Sequence, residues 1–244
     1  MSESTLDWCS FFALFWNDKG FNLKLKIPDT VLLRNGHISA WWATDKKGHV
    51  KRHQPQKTTW EAIRSHFVQQ AVDDSNNVGR FVAIVRKANA PPRILKWREF
   101  NHMCEWMSDN SELTGAHLPA AVKEELPFCV QVYVPPHLDL RYITTYICNG
   151  SEVVCSSFPR RYSRRYIQSA SSEGAGELVC EVDPKVVRLD ANLKRELQNT
   201  TSEVVKYVER AHGLTLAGVV CEYVRDARGE VRLTAVLRAE WATR

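Results

Sequence analysis

The most regular patterning in the chain runs from Asp190 to Trp241. Leu193, Leu197, Val204, Val208 and Ala211 recur at three- and four-residue spacing, which places them on one face of a helix. Asp190 suits the N-cap of that helix, and Gly213, after Arg210 and His212, suits its C′ stop. Leu214–Val224 is then a nearly continuous apolar run, as in a strand buried on both faces. Asp226–Gly229 supplies a turn, and Val231–Leu237 a strand that returns antiparallel.

Upstream, Trp8–Trp16 is almost wholly apolar and aromatic, so it must pack on the domain or insert into a partner. Leu23, Leu25 and Ile27 alternate with Asn22, Lys24 and Lys26, the pattern of a half-buried strand that Pro28 ends. A short strand over Ile38–Trp42 follows the Asn35-Gly36 turn. Lys46–Lys57 reads as a basic loop, a solvated surface or a contact to phosphates or an acidic protein face. Thr58 and Glu61 make a capping-box pattern for a helix to about Val72, with Trp60, Ile63, Phe67 and Ala71 as its buried stripe.

Arg80–Val85 has the composition of a buried strand. Ile94-Leu95, after Pro91-Pro92, leads into a helix over Trp97–Met107 whose Phe100, Met103, Cys104 and Met107 are core residues. Ser108–His117 reads as a link, Ala120–Glu125 as a short helix and Phe128–Val134 as a strand. Tyr142–Cys148 and Glu152–Ser157 flank Asn149-Gly150, a pair suited to a type I′ hairpin turn. Phe158–Tyr166 (FPRRYSRRY) follows, then a Ser/Gly-rich stretch over Ser169–Gly176 and a strand over Glu177–Val182. The order of elements predicts an α+β protein with mostly antiparallel sheets and flanking helices. Two regions are expected: residues 1–79, aromatic and basic, packing on the core formed by residues 80–244.

The chain's 244 residues, 44% hydrophobic and 25% charged, suffice for a real core. No apolar run reaches the roughly 18–20 residues of a membrane span. Met1–Thr5 has the character of neither a secretory signal nor an organelle presequence, so a cytoplasmic location is expected. Seven cysteines without a CxxC pair indicate reduced thiols, and the eight histidines show no zinc spacing. A net charge of +5 is compatible with an acidic partner.

Three blocks resemble an ATP-grasp fold, and within it the eukaryotic cell-division-cycle-type assembly factors (chaperones) for translation initiation factor two. Leu138–Tyr146 (LDLRYITTY) resembles the family's strand bearing Glu-Phe-Arg. Arg160–Tyr166 (RRYSRRY) resembles its R-x-Y-T-x-x-Y segment at Arg160, Tyr162 and Tyr166. Val219–Leu233 (VVCEYVRDARGEVRL) resembles its closing hairpin, with the R-D-x-R-G turn at Arg225–Gly229. Coverage runs from about residue 80 to 241, and the family's acidic N-terminal insertion is missing.

The resemblance implies ATP held between two sheets, with magnesium bound by an acid on one strand of that hairpin and an acid and an Asn on the other. A hard cation bridging phosphates needs such oxygen ligands. The first acid maps to Glu222, but the other two positions map to Ala235 and Leu237, which cannot bind magnesium. Glu222 is then expected to pair with an Arg. The nucleotide lysine has no secure match: Ser39 stands in its place, with Lys87 and Lys96 as candidates by position. Arg141 and Arg160, with Arg161, Arg164 and Arg165, remain as nucleotide- or anion-binding candidates, given the fit of guanidinium to phosphate and carboxylate; the alternative is a solvated, Tyr-interleaved loop.

The resemblance thus implies a non-catalytic ATP-grasp-like protein that needs no cofactor, ATP and magnesium being disfavoured. Its role would be that of an assembly factor or protein-binding subunit, its partner a subunit of translation initiation factor two. The alternatives are a structural component of a larger microtubule, cytoskeletal or ribonucleoprotein assembly, or an active ATP-dependent ligase or kinase with Glu240 as a substitute acid.

Overall fold

The long helix forms where its periodicity and caps place it, over Ala191–His212. The Asp190 carboxylate accepts from the Leu193 amide at 3.0 Å, and Gly213 ends the helix at φ 66°, where only glycine is unstrained. A computed structural model of the chain describes residues 8–17, 20–73, 81–87, 90–110, 126–149, 152–166, 176–181 and 188–242.

In chain order the described elements are α1 (Trp8–Ala13), β1 (Thr30–Arg34), β2 (His37–Thr44), β3 (Val50–Arg52), α2 (Trp60–Asp73), β4 (Ala83–Lys87) and β5 (Ala90–Leu95). There follow α3 (Trp97–Asp109), β6 (Cys129–Val132), β7 (Leu140–Asn149), β8 (Glu152–Tyr166), β9 (Gly176–Glu181), α4 (Ala191–His212), β10 (Leu216–Arg225) and β11 (Val231–Trp241). The fold is α+β, as the element order predicts. All the strands join one antiparallel sheet in the order β11-β10-β7-β8-β9-β5-β4-β6-β1-β2-β3. Because β1 pairs with β6, the sheet runs through the position expected to separate residues 1–79 from the rest.

The sheet is rolled. The segment Leu23–Ile27 keeps the predicted alternation of buried and exposed residues, yet it is not a ladder strand; its one recorded bridge is Lys24 to His49. On the β3 side, Leu23 and Leu25 exchange backbone bonds with Val50 and Gly48 at 2.9 and 3.0 Å. On the other side, the Leu233 amide of β11 donates to the Lys26 carbonyl at 2.9 Å. One short segment therefore ties together the two outermost strands, and it shares its few donors and acceptors between them.

Helices cover both faces. α1 and α4 pack with Leu25, Ile27, Tyr223 and Leu233 in the larger core, where Phe11, Phe12 and Phe15 bury the aromatic opening of the chain. α2 and α3 stack Phe67 on Phe100, centroids 5.3 Å apart, over β1, β4 and β6. β1 gives Leu32 to the first core and Val31 and Leu33 to the second, so it is buried on both faces.

Several boundaries differ from the predicted ones. Thr59, not Thr58, accepts from the Ala62 amide, so α2 begins one residue late and the Thr58/Glu61 box does not form. Lys46–Lys57 is not all loop: it contains β3 and a 3-10 turn over Pro55–Lys57. Asp45 knits it by accepting from the His49 and Lys47 amides; the His49 bond foremost, with those of Lys51 and Lys47, holds its carboxyl down at about 2. Phe158–Tyr166 belongs to β8 and pairs with both β7 and β9. Gly150 of the Asn149-Gly150 turn, the Ala120–Glu125 helix and most of Ser108–His117 and Ser169–Gly176 lie outside the described residues.

The tie at Leu23–Ile27 predicts an uneven mutational response. Ile27→Ala, at a fully buried position, costs about 2–5 kcal/mol in urea unfolding. Lys26→Ala, whose exposed ion pair to Glu230 spans 2.6 Å, costs less than about 1 kcal/mol. Equal losses would mean that the segment's apolar face does not hold the sheet closed.

Candidate functional site

The centre of the site is Glu222, in the middle of β10. Strand register places it between Ile143 of β7 and Ala235 of β11. Its Oε1 accepts from Arg141 Nη1 at 2.8 Å and from Arg86 Nη2 at 3.0 Å. Thr234 Oγ1 lies 2.9 Å from the same oxygen and donates to it. The side chains of Glu222, Arg141 and Arg86 are 4%, 3% and 8% exposed, so this is an interior ion cluster.

Each member is delivered by a different strand. Arg141 sits one register step from Glu222, opposite Val224. Arg86 comes from β4, which four strands separate from β10 in the sheet order, so the contact exists only because the sheet is rolled. Opposite Arg86 the β4–β5 register shifts between Val85 and Lys87 while Pro91 and Pro92 pass, two residues against one. Prolines lack the ladder donor and are tolerated at such a bulge, which re-aims the residue across from it.

Burial alone would push the Glu222 carboxyl up. The charges of Arg141 and Arg86, with hydrogen bonds from Thr234 and Arg86, outweigh it and hold the pKa at about 2. The carboxylate is thus ionised at neutral pH, and its charge is engaged by guanidinium.

The other residues singled out in the sequence are placed as follows. Ala235 is fully buried directly across from Glu222, and Leu237 is exposed at a bulge in the β10–β11 ladder, between Val236 and Arg238. Arg160 stands opposite Arg141 in the β7–β8 register, exposed, its guanidinium 5.3 Å over the Phe158 ring. Arg161, Arg164 and Arg165 lie on β8 opposite Glu181, Leu178 and Glu177 of β9. Lys87, half-buried, ends β4 beside Arg86. Ser39 is exposed on β2, Lys96 precedes α3, and Glu240 pairs with Arg238. Glu222 pairs with arginine, as the sequence suggested. Arg86 and Thr234 were missed; the one local signal for Arg86 is a charge ending the apolar run Phe81–Val85.

Among the described residues no group of three His, Cys, Asp or Glu is arranged to hold a metal ion. Next to the ion cluster the same sheet face is open. Register puts Ile147 beside Val154 and Ile143 beside Phe158, and Ile147, Val154 and Phe158 are all exposed on it. What the geometry offers is an internally neutralised acid behind an apolar face edged by Arg160.

No family model and no curated protein matches the chain. Among solved structures it is similar to the ATP-grasp ligase PsnB complexed with minimal precursor, at 14% identity over 93% of this chain and 50% of that one, TM-score 0.40. It is similar too to the D-alanine-D-alanine ligase from Coxiella burnetii, at 10% identity over 88% and 43%, TM-score 0.44. A third is the ADP complex of purK, N5-carboxyaminoimidazole ribonucleotide synthetase, at 10% identity over 87% and 40%, TM-score 0.42. The chain spans about half or less of the length of these proteins, and the likeness assigns no role to any residue.

Glu222→Gln removes the carboxylate charge that both guanidinia engage and destabilises the protein by about 3–5 kcal/mol at pH 7 in urea unfolding. The pH dependence follows from the lowered carboxyl. Its stabilisation is complete above the ordinary value of 4.5 and fades as pH falls toward 2, a loss of about 3 kcal/mol. The Gln variant lacks that limb of the acid denaturation curve. A variant as stable as the parent, with the same acid limb, would show that the cluster contributes nothing.

Proposed function

We propose that this chain is a non-catalytic protein of ATP-grasp-like architecture that works by binding another protein. The partner that its sequence blocks favour is a subunit of translation initiation factor two during assembly. The observation that carries the non-catalytic reading is the state of Glu222. Magnesium bridging nucleotide phosphates is held by several oxygens, usually carboxylates. Here the one acid at such a position already has two guanidinia and a hydroxyl on its Oε1, and Ala235 faces it across the ladder.

The protein-binding half of the reading is supported by the face beside the cluster. Ile147, Val154 and Phe158 expose apolar area on a regular strand pair, and Arg160 edges it. Apolar area with an arginine at its margin is the composition of a protein interface.

Two experiments separate this reading from its rivals. ATP with magnesium produces no thermal shift; saturable micromolar binding would overturn the non-catalytic reading and restore the ligase or kinase. Pull-down from a cytosolic extract recovers initiation factor two subunits; recovery of tubulin or of a ribonucleoprotein in their place would overturn the partner assignment. Arg160→Ala combined with Arg164→Ala weakens capture of that partner by about tenfold or more while moving Tm by no more than a few degrees. The reverse ranking would make the arginines structural.

A further inference from the structure

The basic loop seen in the sequence acquires neighbours in the fold that the function above does not use. Lys24 bridges to His49, and its side chain passes within about 3.8 Å of the space over Gly48, next to the exposed Lys46 and Lys47. From the other side α4 presents Lys206 and Arg210, both exposed. Between them lies an open groove of about 320 Å³, lined by Phe21, Lys24, Glu203, Lys206, Tyr207 and Arg210. Glu203, the acid in that lining, is taken by Lys206 at 3.0 Å. Asp45, the acid of the basic turn, is held by its own backbone and by Lys51 at 3.0 Å.

An exposed aromatic ring lines this groove: Phe21, at 43%. Trp16, beside Asn17 in sequence, is 40% exposed. Asn17 Nδ2 donates to Tyr207 Oη at 2.6 Å and to the Phe21 carbonyl at 3.2 Å, so Asn17 and Phe21 are fastened to α4. What sets Phe21 apart from the other exposed rings is its place among the groove's cations, where its face is open for stacking.

We propose that the groove between Phe21–Lys24 and the Glu203–Arg210 stretch of α4, continued by the Lys46-Lys47 turn, binds single-stranded nucleic acid. The cations track the phosphates, and Phe21 takes an unstacked base on its face. An acidic peptide would use the cations but leave the ring idle, so nucleic acid is the occupant that accounts for both. The surface shares no residue with the Arg86–Glu222–Arg141 cluster or with the Ile147–Phe158 face, so it stands or falls separately from them.

The test is fluorescence polarisation of the full chain with a labelled oligouridylate of about 15 nucleotides, and its oligothymidylate counterpart, between about 50 and 200 mM salt. Saturable binding is expected, weakening steeply with salt. Lys24→Glu with Arg210→Glu lowers affinity at least about tenfold, and Phe21→Ala lowers it by about tenfold with little change in salt slope. Thermal melting of each variant checks that these exposed positions leave the fold intact. Overturning results are no saturable binding at low salt, equal affinity in the charge-reversed variant, an unaffected Phe21→Ala, or equal competition by polyglutamate, which would assign the surface to an acidic protein.

Discussion

A buried carboxylate held between two arginines is the constraint on which the rest of the structure turns. Glu222 is removed from water in the middle of β10, where an unpaired charge would cost several kcal/mol. Arg141 is supplied by the neighbouring strand, but Arg86 arrives from β4, across four intervening strands. A cluster of this kind adds little net stability over apolar residues of the same volume. Any register that separated its members would nevertheless leave a charge stranded, so it penalises misalignment more than it rewards alignment. A long antiparallel sheet is prone to slip by a residue, and a charge lock between distant strands selects one arrangement.

The same curvature explains how the sheet manages its edges. β3 and β11 are the outermost strands, and open edges invite pairing with other chains. Leu23–Ile27 fills the gap between them, taking backbone bonds from both sides while its leucines enter the core shared with α1 and α4. Thr44 adds a hydroxyl accepted bond from the Ile27 amide at 2.8 Å, which fixes where the segment leaves the edge before Pro28. Roll, tie and ion cluster are mutually dependent: the tie needs the edges brought together, and the cluster needs the two halves of the sheet to meet.

What was legible in the sequence follows from range. α4, with its Asp190 and Gly213 caps, and the β10–β11 hairpin are set by neighbours a few residues apart, and both stand where periodicity places them. Tertiary pairing decided the rest. Leu23–Ile27 carries a strand's alternation but lacks a full ladder partner. RRYSRRY looks like solvated loop until β9 supplies a second pairing edge. Pro91 and Pro92 argue against a strand, yet a bulge lets β5 run through them. At the site, the pairing of Glu222 with an arginine was legible. Arg86 could not be found, because it lies 136 residues from the acid it pairs with and no local spacing encodes that contact.

Stability and recognition therefore occupy different parts of this molecule. The charges of the cluster are buried, and its one carboxylate is held by both guanidinia, so changing it disturbs folding before it disturbs any ligand. The charges and rings on the surface have the opposite character. Arg160 and Phe158 on the open sheet face, and Lys24, Phe21 and Arg210 around the groove, contribute little to packing, since solvent already reaches them. A protein that did its chemistry in the interior of the roll would need a carboxylate able to leave its arginines for a cation. With two guanidinia and a hydroxyl on one oxygen, Glu222 would give up more by leaving than a solvated acid does, and Ala235 offers no second oxygen to share the ion. The function proposed above accordingly rests on the exposed faces, with the interior serving to hold them in register.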